Sequence, residues 1–530
     1  MKFSNLARAL AASTLLAGAV MPVPFAVAQD GKTITGAFDT GPGGFPKKFN
    51  PLAATGGFTW FSIYFEPLVT YAADLSVIEG ALADSFEVSE DQKTYTFHLA
   101  EETWHDGEAF DAEDVKFTID LAQNPDTGSV FASRLSDIES VEVVDARTVK
   151  LTLSQPNSAL LADLTQLMIM PQHALGDVAP AELATSTWWS EAPIGTGPFK
   201  FDEYVTDQYV ALSADEDYRR GTPKVDRIIN RYFDNPAAAV AALRSGEIQF
   251  TYVEPDDVAT LRDTEGVRVI EGNSYVVNYV GFNQRVDLWK DVRVRQAFLY
   301  AIDREAIITA LYGGAATVAQ CGYVAPHLVP DGITEYSHDP DKARALLDEA
   351  GWGDINGDAP ITWLTYYTSP QAANVMAAVQ AMLGQVGINV VPRVVDVPTY
   401  NGIVYSNDDA GWDQFPLIYA GIRNGPDPAS INIGLNSAQL PPNGANIMRV
   451  EFDDLTAAFD AAMSETDPAA AEGKWQEVCA EMNQTLPWAP MWVSSRYGVA
   501  SDDLVDFVWT PAPAGGPYAA HPELWDIAQN

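Results

Sequence analysis

Six histidines, His98, His105, His173, His327, His338 and His521, are spread over 530 residues without the paired spacing a transition-metal site needs. His105 stands beside Asp106, but neighbours in an Asp-Gly turn do not orient one another, and catalytic triads are assembled from distant positions. Asp39-Thr40-Gly41 and Asp126-Thr127-Gly128-Ser129 pose another chemistry, because two aspartates sharing a proton activate water. That pairing needs each loop to leave a buried apolar strand, and Asn124-Pro125 marks the second as a helix exit. Asp354-Ile355-Asn356-Gly357-Asp358 opens like a calcium loop. It has Ala359 at position six and Thr365 at position twelve, where Gly and Glu are required, so a polar turn is expected. Gly195-Thr196-Gly197-Pro198 lacks the Lys-Ser or Lys-Thr of a phosphate loop. No residue is therefore assigned to catalysis, to a metal or to a cofactor, and the chemistry left is non-covalent binding.

Strand and helix signals alternate along the whole chain. Lys32 to Asp39 reads as a first strand. Tyr95, Phe97 and Leu99 alternate with polar neighbours, as do Val141 with Val143 and Val149 with Leu151 and Leu153, the last two runs joined by a turn at Asp145-Ala146-Arg147. A helix follows Asp111. Another begins at Asp291 and buries Val294, Phe298, Ala301 and Ile302, with Arg293, Arg295 and Arg304 expected on the wet side. A third has Asp339 as cap, Pro340 in its first turn and Gly351 at its end. The architecture is expected to be mixed α/β in several lobes, since about 500 residues exceed what one core serves.

Export is expected from the N-terminus, where Lys2 and Arg8 precede the apolar run Leu10 to Val20 and Ala26-Val27-Ala28 offers a cleavage site. Residues 1 to 28 would be removed, with no cysteine there to carry lipid. No later stretch approaches the roughly 20 apolar residues of a spanning helix. The formal charge of −41, from 72 acidic and 31 basic residues, excludes nucleic acid as a partner, because phosphate contacts need clustered Lys and Arg. Cys321 and Cys479 would enter an oxidising compartment together. Whether they pair or stay as buried thiols is open at this point.

The order of local signatures resembles the solute-binding proteins of ATP-driven importers, in the family that takes dipeptides, oligopeptides and nickel complexes. The matching pieces run from Phe65-Glu66-Pro67-Leu68-Val69 through Trp104-His105-Asp106-Gly107 and Gly195-Thr196-Gly197-Pro198-Phe199. They continue with Gly281-Phe282-Asn283, Val292 to Ala297, Ala301 to Arg304 and Leu486 to Trp492. The resemblance implies a bilobal venus-flytrap fold with an extra subdomain in the first lobe. Mapped onto this chain, lobe one takes residues 29–60, 195–280 and 495–530, the inserted subdomain 61–194, and lobe two 281–494. It also implies a ligand trapped between the lobes, delivery to a membrane permease and its ATPase, a periplasmic location and, as a working expectation, a monomer.

Gly421-Ile422-Arg423-Asn424-Gly425-Pro426-Asp427-Pro428 follows the apolar strand Phe415 to Ala420 and looks like the family's acidic cleft loop. Peptide-binding members place an Asp there for the ligand's α-ammonium. Asn424 takes that place here, while Asp427 serves either as ligand contact or as a cap. Arg423 is a candidate for gripping a carboxylate. Gly421 and the aromatics Trp60, Tyr366 and Tyr367 complete the expected contacts. A peptide is the expected ligand, an oligosaccharide the nearest alternative given 13 tryptophans, and a secreted aspartic protease, through Asp39 and Asp126, a remote one.

Overall fold

Alternation of apolar and polar residues builds the first layers. The computed structural model describes residues 31–38, 50–52, 61–206, 208–233, 235–323, 325–406, 415–423, 426–441, 444–510 and 519–528, and from Lys32 onward the chain forms one unit. After β1 (Thr33–Ala37), a short hairpin of β2 (Val69–Tyr71) and β3 (Ile78–Gly80) precedes an antiparallel sheet of β4 (Ala83–Val88), β5 (Thr94–Leu99), β6 (Ile138–Asp145) and β7 (Thr148–Leu153). Its order is β4-β5-β7-β6. Tyr95, Phe97 and Leu99 turn inward from β5, and Val149, Leu151 and Leu153 from β7, as period-two patterning requires.

Helix α1 (Ala112–Gln123) is fixed at its start by a capping box of Asp111 and Asp114. Asp114 is buried and also accepts from Trp104 Nε1 at 3.0 Å and the Gln172 amide at 2.8 Å, so one carboxylate joins three segments. The helix ends at Asn124-Pro125, and Asp126-Thr127 forms a 3-10 turn that hands over to Gly128 with φ 63°. This triplet does not leave a buried strand; Asp39 lies outside the described residues. A one-and-a-half-turn helix, α2 (Leu160–Leu164), follows β7.

The other lobe shares one mixed sheet with the first. Its strands are β8 (Phe199–Val205), β9 (Tyr209–Ala214), β10 (Arg227–Arg231), β11 (Phe250–Val253), β12 (Val267–Phe282), β13 (Ala316–Val318), β14 (Ile361–Thr365), β15 (Val390–Val394), β16 (Leu417–Arg423) and β17 (Trp488–Ser501). They lie in the order β15-β14-β16-β12-β17-β11-β1-β10-β9-β8, with β13 also on β17. β1 runs parallel to both its neighbours, and so does β14. Among the described strands only β12 and β17 are long enough to serve both ends. They pair antiparallel from Val267 and Ser501 to Gly281 and Trp488, with a register break between Asn273 and Val277. β11 ends opposite Tyr497, and β13 starts opposite Ser494, so the two lobes meet across the few residues between them.

Apolar residues fill separate cores in the two lobes. One holds Phe38, Phe65, Trp104, Ile119, Leu151 and Phe250; another, in the second lobe, holds Phe282, Trp289, Val294, Phe298, Trp363 and Trp492. Each such side chain contributes about 1.5–3 kcal/mol on burial. Gly195 is required by close approach: a Cβ there would stand 1.7 Å from the Tyr64 carbonyl oxygen. Behind it, His105 Nδ1 accepts the Gly195 amide at 3.2 Å, and its Nε2 lies 2.8 Å from the Gly197 carbonyl oxygen. His105 is thus a clip between two segments, not half of a catalytic pair.

In the second lobe α3 (Val292–Ala301), α4 (Arg304–Leu311) and α5 (Pro340–Ala350) start at Asp291, Asp303 and Asp339, whose side chains each cap a backbone amide. Arg293 stays at the surface with Asp291 at 2.6 Å. Arg295 and Arg304 do not: both are 4% exposed, which corrects the expectation that they face water. Arg295 donates to the carbonyls of Trp289, Lys290 and Thr485, and Arg304 to those of Ala319, Pro490, Glu335 and Tyr336. Arg304 does not continue α3 but opens α4, on the face that buries Ile307 and Ile308, and for both arginines uncapped loop carbonyls outcompete water for a long side chain able to reach them.

Helices α6 (Asp453–Met463) and α7 (Pro468–Thr485) pack beside this sheet. Cys321, just after β13, forms a disulfide with Cys479 of α7, the Cα atoms 5.5 Å apart. The loop Asp354–Asp358 is the end of a one-turn helix and a following turn, where the Asn356 amide donates to the Ala359 carbonyl at 2.9 Å.

Candidate functional site

Tyr366 and Tyr367 follow directly on the end of β14 at Thr365. Tyr366 packs on Tyr400 at 4.8 Å between ring centroids, Tyr367 on Tyr419 at 5.2 Å, and the two rings lie 4.7 Å apart. Tyr279 of β12 adds a ring over Trp488 at 4.6 Å. Burial raises the pKa of Tyr279, Tyr367 and Tyr400, so these phenols remain neutral donors. The buried hydroxyls of Tyr323 and Tyr400 have no hydrogen-bond partner among the described residues. Unsatisfied buried groups of this kind mark places where water or a ligand belongs.

Gly421 of β16 opposes Asn278 of β12 and lies under the Tyr367 hydroxyl. The backbone of Arg423 pairs with Val276, next to the register break of β12. Trp60 and Asn424 lie outside the described residues, as does the Arg423 side chain.

Asp427 is a cap: its Oδ1 accepts the Ala429 amide at 2.8 Å, at the start of a 3-10 turn Pro428–Ile431. It is also more than a cap. Desolvation lifts its pKa to about 6 despite that hydrogen bond, and no cation faces it among the described residues. Across from it stands Asp163, likewise pushed up to about 6, first by desolvation and further by the Asp427 charge, against the pull of Arg134 at 3.4 Å. The same two carboxylates add to the desolvation that raises Tyr71, and Asp427 adds to that of Tyr323.

Asp163 reaches this position because α2 docks on the second lobe. The Ser158 amide donates to the Met463 carbonyl at 3.3 Å, and Ala159 is buried in a cluster with Tyr279, Tyr323 and Ala429. Gln92 makes a second bridge, to the Thr466 carbonyl at 3.2 Å. The structure therefore brings Tyr366, Tyr367, Gly421 and Asp427 into one lobe and sets Asp163 and Tyr71 of the other against Asp427. Sequence reasoning missed Asp163, whose signal was a lone carboxylate in the apolar run from Ala159 to Met170, and the ring cluster of Tyr279, Tyr323 and Tyr400.

Comparison with known proteins accords with this arrangement. The family model of bacterial extracellular solute-binding proteins, family 5, matches residues 77–439. A protein of Brucella melitensis, provisionally named an ABC transporter peptide-binding protein, is 60% identical over 530 residues and 100% of both chains. The dipeptide-binding protein of Escherichia coli is 32% identical over 340 residues, 58% of this chain and 62% of its own. The structure of the oligopeptide-binding protein AppA of Bacillus subtilis, in complex with a nonapeptide, superposes with a TM-score of 0.80 at 24% identity, over 94% of this chain and 99% of that one. This fold is bilobal, with an added subdomain in its first lobe. The chain belongs to the bacterial extracellular solute-binding proteins, family 5.

Proposed function

We propose that the protein is the extracytoplasmic receptor of an ABC importer for peptides, holding the α-ammonium of its ligand at Asp427 and passing the closed, loaded form to a permease and its ATPase. The observation that carries this reading is the desolvated Asp427 carboxylate, with one oxygen committed to a backbone amide and no cation beside it among the described residues. A buried carboxylate is costly unless paired, and an ammonium between Asp427 and Asp163 satisfies both. Relatives named for peptide binding support the choice of ligand. Tyr366, Tyr367 and Gly421 would line the site, and the free hydroxyls of Tyr323 and Tyr400 would orient the peptide backbone. Trp60, Arg423 and Asn424 keep their proposed role as ligand contacts. No covalent step is involved: a solute touching both lobes shifts the population toward the closed form. Removal of residues 1–28 on export to the periplasm completes the reading.

Thermal-shift measurements against di- and oligopeptides, their N-acetylated forms and oligosaccharides test it through binding linkage. Free peptides are expected to raise the melting temperature, and N-acetylation or Asp427→Asn to weaken binding by about 10- to 100-fold, the worth of a charged hydrogen bond. A shift with sugars and none with peptides overturns the assignment.

A further inference from the structure

The lobes also meet outside the strands they share, through residues that the ligand site does not use. Gln92, in the turn between β4 and β5, donates its Nε2 to the Thr466 carbonyl at 3.2 Å, and the Ser158 amide donates to the Met463 carbonyl at 3.3 Å. Both acceptors lie where α6 ends and α7 has yet to begin. The Ser158 hydroxyl adds a contact with Met463 Sδ at 4.0 Å, and Ala159 is buried in a cluster of the second lobe.

The first lobe holds its part of this contact rigidly. Gln92 has φ 51°, a left-handed angle that side chains other than Asn and Asp rarely adopt. The turn keeps it there: the Gln92 amide donates to the Ser89 carbonyl at 2.8 Å, and Asp91 Oδ1 accepts the Ser89 hydroxyl at 2.6 Å and the Lys93 amide at 3.1 Å. Glycine would suit this backbone better, so a strained position is occupied by a residue whose amide reaches across to the other lobe. The turn is also tied to Ser158. Lys93 Nζ donates to the Ser154 carbonyl at 2.9 Å and the Tyr95 hydroxyl to the Asn157 carbonyl at 3.3 Å, while the buried Asn157 donates its Nδ2 to Asp137 at 3.0 Å and accepts the Ala159 amide at 2.9 Å. The opposite jaw is equally firm, since Phe459 of α6 packs on Trp475 of α7 at 6.4 Å and Cys479 ties α7 to Cys321. Seating this segment also sets α2: the Asp163 amide donates to the Ala159 carbonyl at 2.9 Å, so docking Ala159 on the second lobe carries Asp163 toward Asp427.

We propose that Gln92 and Ser158 form a latch that closes the lobes without a ligand, so that the free protein already populates the closed form and retains its solute partly through residues that never touch it. One neutral hydrogen bond at the surface moves such an equilibrium only a few-fold, which leaves the lobes able to reopen. The latch does not depend on the identity of the solute; its effect on affinity rests on the peptide reading above.

Spin labels on the exposed positions Val144 and Ile355, introduced as Val144→Cys and Ile355→Cys in the full mature chain, read the distance between the lobes by pulsed electron paramagnetic resonance. The ligand-free protein is expected to show a closed population, and Gln92→Gly to shift the ratio toward the open form by about 2- to 10-fold. Gln92→Glu, of equal length but without a donor, should do the same, whereas a role confined to the turn would be preserved by glycine and blind to the amide. Glycine relieves the backbone, so the urea midpoint of Gln92→Gly is expected at or above the native one. A ligand-free protein with only an open population, or a ratio unchanged in both variants, overturns the latch. Calorimetry with a mixed tripeptide pool then reads retention: affinity in Gln92→Gly is expected to fall by the same factor as the closed population. Unmoved affinity beside a moved ratio overturns the role in retention, and failure of the native protein to bind the pool overturns the peptide reading while the distances still decide the latch.

Discussion

The Tyr367 hydroxyl occupies the space that a side chain on Gly421 would fill: a Cβ there would stand 2.7 Å from Tyr367 Oη and 2.6 Å from Val276 Cγ1. Gly421 is therefore needed for room and not for an unusual backbone angle. Gly421→Ala should drive Tyr367 out of its contact with Tyr419 and cost about 1–3 kcal/mol of stability, the usual penalty of overpacking. Urea unfolding measures the loss, and peptide titration should show weakened binding beyond it. Native stability and affinity in the variant would mean that Tyr367 moves freely and does not shape the site.

Local signals carried far in this chain. Asp111, Asp291 and Asp339 cap the helices expected of them, and β5 and β7 bury the alternating residues. These features depend only on neighbours in sequence. What escaped depends on distant partners. Arg295 and Arg304 carry a charge that argues for exposure, and only the loops folding around them supply the carbonyls that hold them inside. Asp163 has no motif, since its meaning comes from Asp427 in the other lobe. The pairing of Cys321 with Cys479 rested likewise on tertiary geometry, which spacing could not supply. For Asp427 the structure shows the cap, and the two readings posed as alternatives are compatible, because a carboxylate has two oxygens and the cap uses one.

Affinity for peptides should depend on pH through the two facing carboxylates. Asp163 and Asp427 have folded pKa values raised to about 6, above the unfolded range near 4. In the free protein their contribution to stability is present at low pH and lost as pH rises through about 6, because burial penalises the charged form. An ammonium ligand needs that charged form, so binding should weaken as pH falls through about 6, toward a limit of about tenfold per pH unit for each proton that binding must displace. Calorimetry at pH 7.5 and 5 in buffers of different ionisation enthalpy reads both affinity and proton release. Asp163→Asn should halve the proton release at pH 5; an affinity flat across this range would remove the carboxylates from the site.

His105 should give a stability profile of the opposite sign. Burial lowers its pKa, and its Nδ1 accepts the Gly195 amide, so the folded state holds it neutral. Its contribution is present above the unfolded pKa near 6.5 and is lost as pH falls, with a slope approaching about 1.4 kcal/mol per pH unit where only the unfolded chain is protonated. His105→Gln should lower the melting temperature at pH 7.5 and flatten this part of the profile. The comparison of the two proteins isolates His105 from the carboxylates, and parallel profiles would exclude it as the titrating group.

Arg304 offers the sharpest test of how the second lobe is held together. Its guanidinium reaches four carbonyls from three segments: Ala319 at 2.8 Å, Pro490 at 2.9 Å, Glu335 at 3.0 Å and Tyr336 at 3.2 Å. Desolvation lowers its pKa only to about 10, so it is charged at neutral pH and each bond is charge-assisted. Methionine would fill the space and leave the carbonyls buried without a donor, at about 1–3 kcal/mol each for those that water cannot reach. Arg304→Met should therefore cost about 3 kcal/mol or more, and Arg304→Lys less, since a compact ammonium reaches some of the four but not all. Both losses should appear in urea midpoints, with peptide affinity unchanged wherever the variant is folded. Arg304→Met matching the native midpoint would show that these carbonyls are hydrated and that the guanidinium is not what joins the three segments.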